Sequence, residues 1–209
     1  APYRTPAELL AGPRDRGLLS CPGTFFSYSN TGYLLLGLVL EAVWGQPFHQ
    51  LFRDRLALPL GAPGLRPLAP AEQPASLALS HKPDGSTVPQ PGLSSLLGAA
   101  NVVGSASDWL RLWSALLDGR LHPEPRNRWA SLLPMDLPGA TLWYGQGAMA
   151  MDFTDSGSAR LWLAHTGGST DANAIVLWDP RAGAHVAVAV NSAVSAGAVA
   201  LALLNALPA

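Results

Sequence analysis

Apolar positions divide the chain into a helix-rich first part and a strand-rich second part. From residue 31 to Trp44 almost every position is apolar, which predicts a helix that is buried on most of its faces. Gly45 is expected to end this helix, and Pro47 suits the first turn of a second helix that runs to Leu58. Residues 59–98 are rich in proline and predict a long irregular connection with at most short strands.

The second part begins after one more helix. Ser105 and Asp108 resemble a capping box and predict a helix that runs from Trp109 to Leu117. After Pro138 the apolar period changes to two, which predicts consecutive strands in an antiparallel sheet. The predicted strands cover residues 142–153, 159–165, 173–179 and 184–191. A last apolar helix, residues 196–207, can cover one face of that sheet.

Composition narrows the class of protein. With 48% hydrophobic and 13% charged residues, the 209-residue chain is long and apolar enough to bury a substantial core. A formal net charge of -1 predicts neither a nucleic-acid partner nor an anionic membrane surface. The longest apolar run is interrupted by Glu41 and is too short for a transmembrane helix. The single Cys21 cannot form an internal disulfide, and the histidines show no metal-ligand spacing, so no metal or cofactor is predicted.

Four short motifs carry the candidate chemistry, and they follow one another in a fixed order. The longest lies within residues 21–37 and reads Pro-Gly-x-x-Phe-x-Tyr-Ser-Asn-x-x-Tyr-x-x-Leu-Gly, with Tyr28-Ser29-Asn30 at its centre. A small-residue turn, residues 99–108, leads into Ser-x-x-Asp. Tyr144-Gly145-Gln146-Gly147 and His165-Thr166-Gly167-Gly168 follow in the strand-rich part. Together they resemble the penicillin-binding protein and serine β-lactamase superfamily.

The resemblance implies a β-lactamase/transpeptidase-like fold of the α+β class, an αβα sandwich with an antiparallel sheet and a C-terminal helix. We expect residues 1–209 to form one incomplete domain, with a mainly helical lobe at 1–138 and the sheet with its last helix at 139–209. The family's N-terminal strands and nucleophile helix have no counterpart in these residues. One cleft between the two lobes is expected to be lined by Tyr28, Asn30, His165, Thr166 and the Gly168 amide.

The resemblance also implies roles for particular residues. Tyr28 would be a general acid or base, and Asn30 would orient the groups around the nucleophile. His165, Thr166 and Gly167 would bind the carboxylate or carbonyl side of the substrate. The Gly168 N–H would form half of the oxyanion hole. The alternative is structural: Tyr28 is an ordinary loop residue, Asn30 caps the following helix, and His165 is a hydrogen-bonded histidine where a strand ends.

One expected motif is missing. The family's nucleophile lies in Ser-x-x-Lys, but the only lysine is Lys82 and the residue three positions before it is Leu79. The resemblance therefore implies a serine hydrolase that forms an acyl-enzyme with an amide or ester, with its serine and lysine outside these 209 residues. A D-amino-acid peptide, a β-lactam or a small ester could be the substrate, and His-Thr-Gly in place of Lys-Thr-Gly argues against the β-lactam. The alternative is a non-catalytic binding or interaction protein.

The missing segments also predict a partner. Without N-terminal strands, the hairpin at residues 173–191 should present an open edge and the apolar side chains of Val176, Val186, Val188 and Val190. We expect an upstream segment, a second chain or a second copy to pair with this edge. A small molecule or a peptide is the expected substrate. The resemblance implies a periplasmic or secreted protein, whose signal region would lie upstream of residue 1.

Overall fold

The fold is described from a computed structural model for residues 2–88, 92–121, 132–135, 141–152, 160–169 and 171–207. These residues form two compact units. The first comprises residues 1–79 and 88–108, and the second comprises 80–87 and 109–209. The lobe boundary predicted at residues 138 and 139 lies outside the described residues.

Helices dominate the first unit. Helix α1 spans Pro6–Arg16 and is capped by Thr5 and Glu8. Helix α2 spans Asn30–Trp44 and ends at Gly45, whose φ of 63° is left-handed and suits glycine. Helix α3 spans Phe48–Phe52 and continues as a π-helical turn over Arg53–Ala57, so the predicted second helix ends within one residue of Leu58.

The prediction that α2 is buried on most faces is wrong for the described residues. Only Leu34 and Gly37 are buried in this helix. The other face exposes between 43% and 71% of six large side chains, namely Leu35, Leu36, Val39, Leu40, Val43 and Trp44. The sequence is apolar around most of the helix, but the face formed by these six side chains remains exposed, with the Arg55 guanidinium 3.4 Å from the centre of the Trp44 ring. The first unit therefore carries a contiguous apolar surface along α2.

Short strands and one further helix complete the irregular region. Strands β1 (Arg66–Pro67) and β4 (Val102–Val103) pair antiparallel, while β2 (Ser80–His81) and β3 (Thr87–Val88) form a second small sheet. Helix α4 spans Ala106–Leu117 and begins three residues before the predicted Trp109. The capping box is present, because Ser105 Oγ accepts the Asp108 N–H at 3.2 Å and the Asp108 carboxylate accepts the Ser105 hydroxyl at 2.7 Å.

A six-stranded antiparallel sheet forms the second unit. Its order is β10-β9-β8-β7-β6-β5, each strand pairing with its neighbour in the chain. The strands span Leu133–Pro134 (β5), Thr141–Tyr144 (β6), Met149–Asp152 (β7), Leu161–Ser169 (β8), Ala172–Asp179 (β9) and Ala184–Val190 (β10). Within the described part of the chain, β10 is an outer strand that pairs with β9 alone.

Two strand predictions are wrong. Residues 142–153 do not form one strand but the hairpin β6–β7, because Gly147 adopts a left-handed φ of 79° and the Gly145 N–H donates to the Ala148 carbonyl at 2.8 Å. The strand predicted to end at His165 instead continues through both glycines to Ser169, since β9 pairs with it along this whole length. The predicted strands at 173–179 and 184–191 match β9 and β10 within one residue.

The last helix packs on β9 and β10. Helix α5 spans Ala196–Asn205, and Ser195 caps it by accepting the Ala198 N–H at 3.2 Å. Asn173 of β9 holds the start of this helix, because its side chain accepts the Ala196 N–H at 2.6 Å and donates to the Val194 carbonyl at 2.7 Å. The core of the sheet includes Trp162, Ala164, Met149, Met151, Ile175 and Leu177.

Candidate active site

The Tyr28-Ser29-Asn30 motif forms the entry to α2. Ser29 is the N-cap, and its hydroxyl accepts the Gly32 N–H at 3.1 Å. Asn30 is the first helical residue and is exposed, so the interpretation of Asn30 as the helix cap is wrong. Because Ser29 performs the capping, the Asn30 amide is not committed to that role.

Tyr28 precedes the helix and remains 44% exposed. Burial of the rest of the side chain, and then the nearby Tyr33, raise the pKa of the Tyr28 phenol above its usual value of 10.0. The phenol is therefore protonated at neutral pH. In this state Tyr28 can donate a proton or a hydrogen bond, but it can act as a base only if a cation is placed beside it.

The His165-Thr166-Gly167-Gly168 motif lies in the second half of β8. Its residues pair in register with β9: His165 with Val176, Thr166 with Ile175, Gly167 with Ala174 and Gly168 with Asn173. Strand β7 pairs with β8 only as far as Ala164. Among the described residues, the segment from His165 to Ser169 is thus paired on one side, and residues 166–169 are exposed. Such a strand can accept an extended chain along its other side.

The two glycines of the motif have different surroundings. A Cβ atom added to Gly167 would meet no atom within 4 Å, whereas one added to Gly168 would lie 3.1 Å from the Asn173 Cβ and 3.2 Å from the Ala172 carbonyl oxygen. Gly167 and Thr166 also line a mainly apolar cavity of about 450 Å³ between the sheet and the start of α5. The missing side chains leave the backbone of this segment accessible.

His165 is half-buried, and both of its ring nitrogens have partners. Nδ1 lies 2.7 Å from the Thr166 carbonyl oxygen, and Nε2 lies 3.2 Å from the Tyr144 hydroxyl. Burial lowers the pKa of His165 below 6.5, and the hydrogen bond to the Thr166 backbone opposes this shift only in part. At neutral pH the imidazole is therefore uncharged, so this position lacks the positive charge of the lysine in Lys-Thr-Gly.

Two residues near the site have contacts that the sequence did not predict. Tyr144 lies in a motif to which no role was assigned, and Asn173 was not expected to hold the start of α5. Tyr144 and His165 are 21 residues apart, and only the pairing of β6, β7 and β8 places them together.

The described residues hold no group of three or more His, Cys, Asp or Glu side chains suited to a metal. None of the described helices has both the length and the apolar character needed to cross a membrane.

Comparison with known proteins shows the family of this chain. The model of the Beta-lactamase family matches residues 1–208, and the chain belongs to this family. PbpX of Bacillus subtilis (strain 168), which is named as a penicillin-binding protein, is 29% identical to this chain over 146 residues. These residues cover 68% of this chain and 36% of PbpX. The chain thus spans little more than a third of that relative.

Solved structures show the same fold. The D-amino acid amidase of Ochrobactrum anthropi SV3, complexed with D-phenylalanine, superposes with a TM-score of 0.74 at 24% identity, over 92% of this chain and 63% of the amidase. A penicillin-binding protein of Bacillus halodurans superposes with a TM-score of 0.76 at 23% identity, over 98% of this chain and 63% of that protein. These likenesses confirm the predicted β-lactamase/transpeptidase-like fold.

Proposed function

We propose that this chain is part of a serine hydrolase that cleaves an amide or ester through an acyl-enzyme. The observation that carries the proposal is the one-sided pairing of His165–Ser169, which offers an exposed, glycine-containing strand edge along which an extended substrate can bind. Membership of the Beta-lactamase family supports the same chemistry. The substrate would lie along β8 with its scissile carbonyl near Gly168.

The residues of the two motifs would divide the work of acyl transfer. A serine hydroxyl attacks the carbonyl carbon, and its proton passes to a neighbouring base while the Gly168 N–H stabilises the oxyanion. Tyr28, which is protonated at neutral pH, would donate the proton that the leaving group takes when the C–N or C–O bond breaks, and it would then recover a proton from the base that took the serine proton. Asn30 would orient the serine and the substrate amide. Water then hydrolyses the acyl ester and returns the free serine.

The nucleophile would come from polypeptide outside the 209 residues. No Ser-x-x-Lys occurs in them, and its lysine would also supply the cation that Tyr28 needs in order to act as a base. The relatives are longer than this chain, which covers 36% of PbpX and 63% of the amidase. We propose that the polypeptide carrying Ser-x-x-Lys covers the apolar surface of α2 and pairs with the outer strand β10. Both features would then be buried in the active protein.

A chromogenic ester tests this function. The protein translated from its complete reading frame should hydrolyse the ester, whereas residues 1–209 alone should not, because an unactivated serine is a poor nucleophile. Tyr28→Phe in the complete protein should lower kcat about 100-fold or more, the range for loss of a general acid or base. Tyr3→Phe, which removes a hydroxyl elsewhere in the first unit, is the matched control and should leave kcat unchanged.

A non-catalytic binding protein is the second candidate, because the exposed edge of β8 can bind a peptide without any reaction. The two functions predict different results. Ester turnover by the complete protein that depends on Tyr28 supports the hydrolase. Binding of a peptide along β8 without turnover, in a complete protein that contains no Ser-x-x-Lys, supports the binding protein instead.

A further inference from the structure

The hydrogen bonds of His165 define which of its nitrogens carries a proton. A backbone carbonyl can only accept, so the 2.7 Å contact with the Thr166 carbonyl requires a hydrogen on Nδ1. In the neutral ring Nε2 then has a lone pair, and the Tyr144 hydroxyl at 3.2 Å is its donor. Both ring nitrogens are engaged within the protein before any substrate arrives.

Tyr144 is well placed to hold this state. Only 4% of its side chain is exposed, and its ring meets the imidazole edge-on, with centroids 5.8 Å apart and an interplanar angle of 77°. The flanking strands bring Met149 from β7 and Val176 from β9 to this part of β8. Among these neighbours from β6, β7 and β9, the Tyr144 phenol is the titratable group. No charged side chain in the described residues contributes to the lowered pKa of His165.

We propose that Tyr144 is a positioning residue that holds His165 as a neutral, doubly hydrogen-bonded imidazole. The site therefore selects substrates that place a neutral ester or amide group against His165 over substrates that place a free carboxylate there. This deepens the proposed function and rests on it. The family motif left open whether His165 meets a carboxylate or a carbonyl. A carboxylate placed against an uncharged ring with no spare N–H would lose solvation without gaining a counter-charge.

The first test measures the ring directly and needs no activity. Nitrogen-15 NMR of the protein translated from its complete reading frame, with the His165 signals assigned by their loss in His165→Gln, reports which ring nitrogen is protonated. We expect a protonated Nδ1 and an unprotonated Nε2 at pH 7. Tyr144→Phe should shift the Nε2 signal towards that of an imidazole nitrogen with no donor, while Tyr3→Phe should leave it in place.

Two results of this NMR experiment would contradict the proposal. A protonated Nε2 of His165 at pH 7 in the unmodified protein would overturn the proposal. The circular dichroism of Tyr144→Phe must match that of the unmodified protein. If the Nε2 signal of this variant is then the same as in the unmodified protein, the role of Tyr144 is overturned.

The second test measures substrate choice in the complete protein. Two substrates are compared that differ only in whether the carboxyl group next to the scissile bond is methylated or free. We expect kcat/KM to favour the methylated substrate, and His165→Lys to lower this preference about 10-fold by adding a cation. Equal values for the two substrates in the unmodified protein would contradict the selectivity. If neither substrate is turned over, the proposed function fails, but the nitrogen-15 spectra still decide the state of His165.

Discussion

Gly167 and Gly168 are adjacent in β8, but a methyl group at each should affect stability differently. At Gly168 the new Cβ would lie 3.1 Å from the Asn173 Cβ and 3.2 Å from the Ala172 carbonyl oxygen, so Asn173 must move by a few tenths of an ångström. Asn173 cannot move freely, because its side chain bonds the Ser192 and Val194 carbonyls and the Ala196 N–H at 3.3, 2.7 and 2.6 Å.

The expected size of the effect follows from these contacts. Overpacking of this kind costs about 1–3 kcal/mol, and alanine recovers about 0.4–1 kcal/mol by restricting the unfolded chain. Gly168→Ala should therefore lower the free energy of unfolding by about 1–2 kcal/mol. Gly167→Ala meets no atom within 4 Å and should be neutral or slightly stabilising.

Urea unfolding of the two variants measures this difference. With an m-value of about 2 kcal/mol/M, the midpoint of Gly168→Ala should lie about 1 M below that of Gly167→Ala. Gly167→Ala is the matched control, since both variants add one methyl group to the same strand. Equal midpoints would show that Asn173 yields without cost, and the reasoning about its hydrogen bonds would then be refuted.

Two further predictions concern the other residues of the site. Ser29→Ala should lower the free energy of unfolding by about 1 kcal/mol because it removes the α2 cap. Asn30→Ala should change the free energy of unfolding by less than about 0.5 kcal/mol. Urea unfolding midpoints in the reverse order would show that Asn30 caps the helix. Because burial holds the pKa of His165 below 6.5, its stabilising contribution is complete above pH 6.5 and is lost as the pH falls through the lower folded value. His165→Gln should therefore lose less stability than the parent chain between neutral and acidic pH, and equal losses in urea titrations at several pH values would contradict the shift.

The sequence predicted the elements whose limits depend on local chemistry. Helix α2 ends at Gly45 because that residue takes a left-handed φ, and α4 is capped by Ser105 as its capping box predicts. The hairpin β6–β7 was missed because apolar residues on both sides of Gly145-Gln146-Gly147 were assigned to one strand. A glycine with a left-handed φ at residue 147 makes the turn, and the spacing of these glycines was the available signal.

Features that depend on distant pairing could not be predicted. Strand β8 continues through two glycines because β9 supplies partners for them, and no local pattern indicates this. Likewise, the contact between Tyr144 and His165 depends on the register of three strands. The sequence of α2 shows that the helix is apolar, but it does not show which face of the helix is exposed.

The position of the acylated residue tests the proposed function most directly. The protein translated from its complete reading frame is treated with a reagent that traps acyl-enzymes, such as a fluorescent penicillin or a fluorophosphonate, and the labelled peptide is identified by mass spectrometry. We predict one labelled serine, in a Ser-x-x-Lys sequence outside residues 1–209. A label on a serine within these residues, or none in a complete protein that hydrolyses esters, would contradict the proposal.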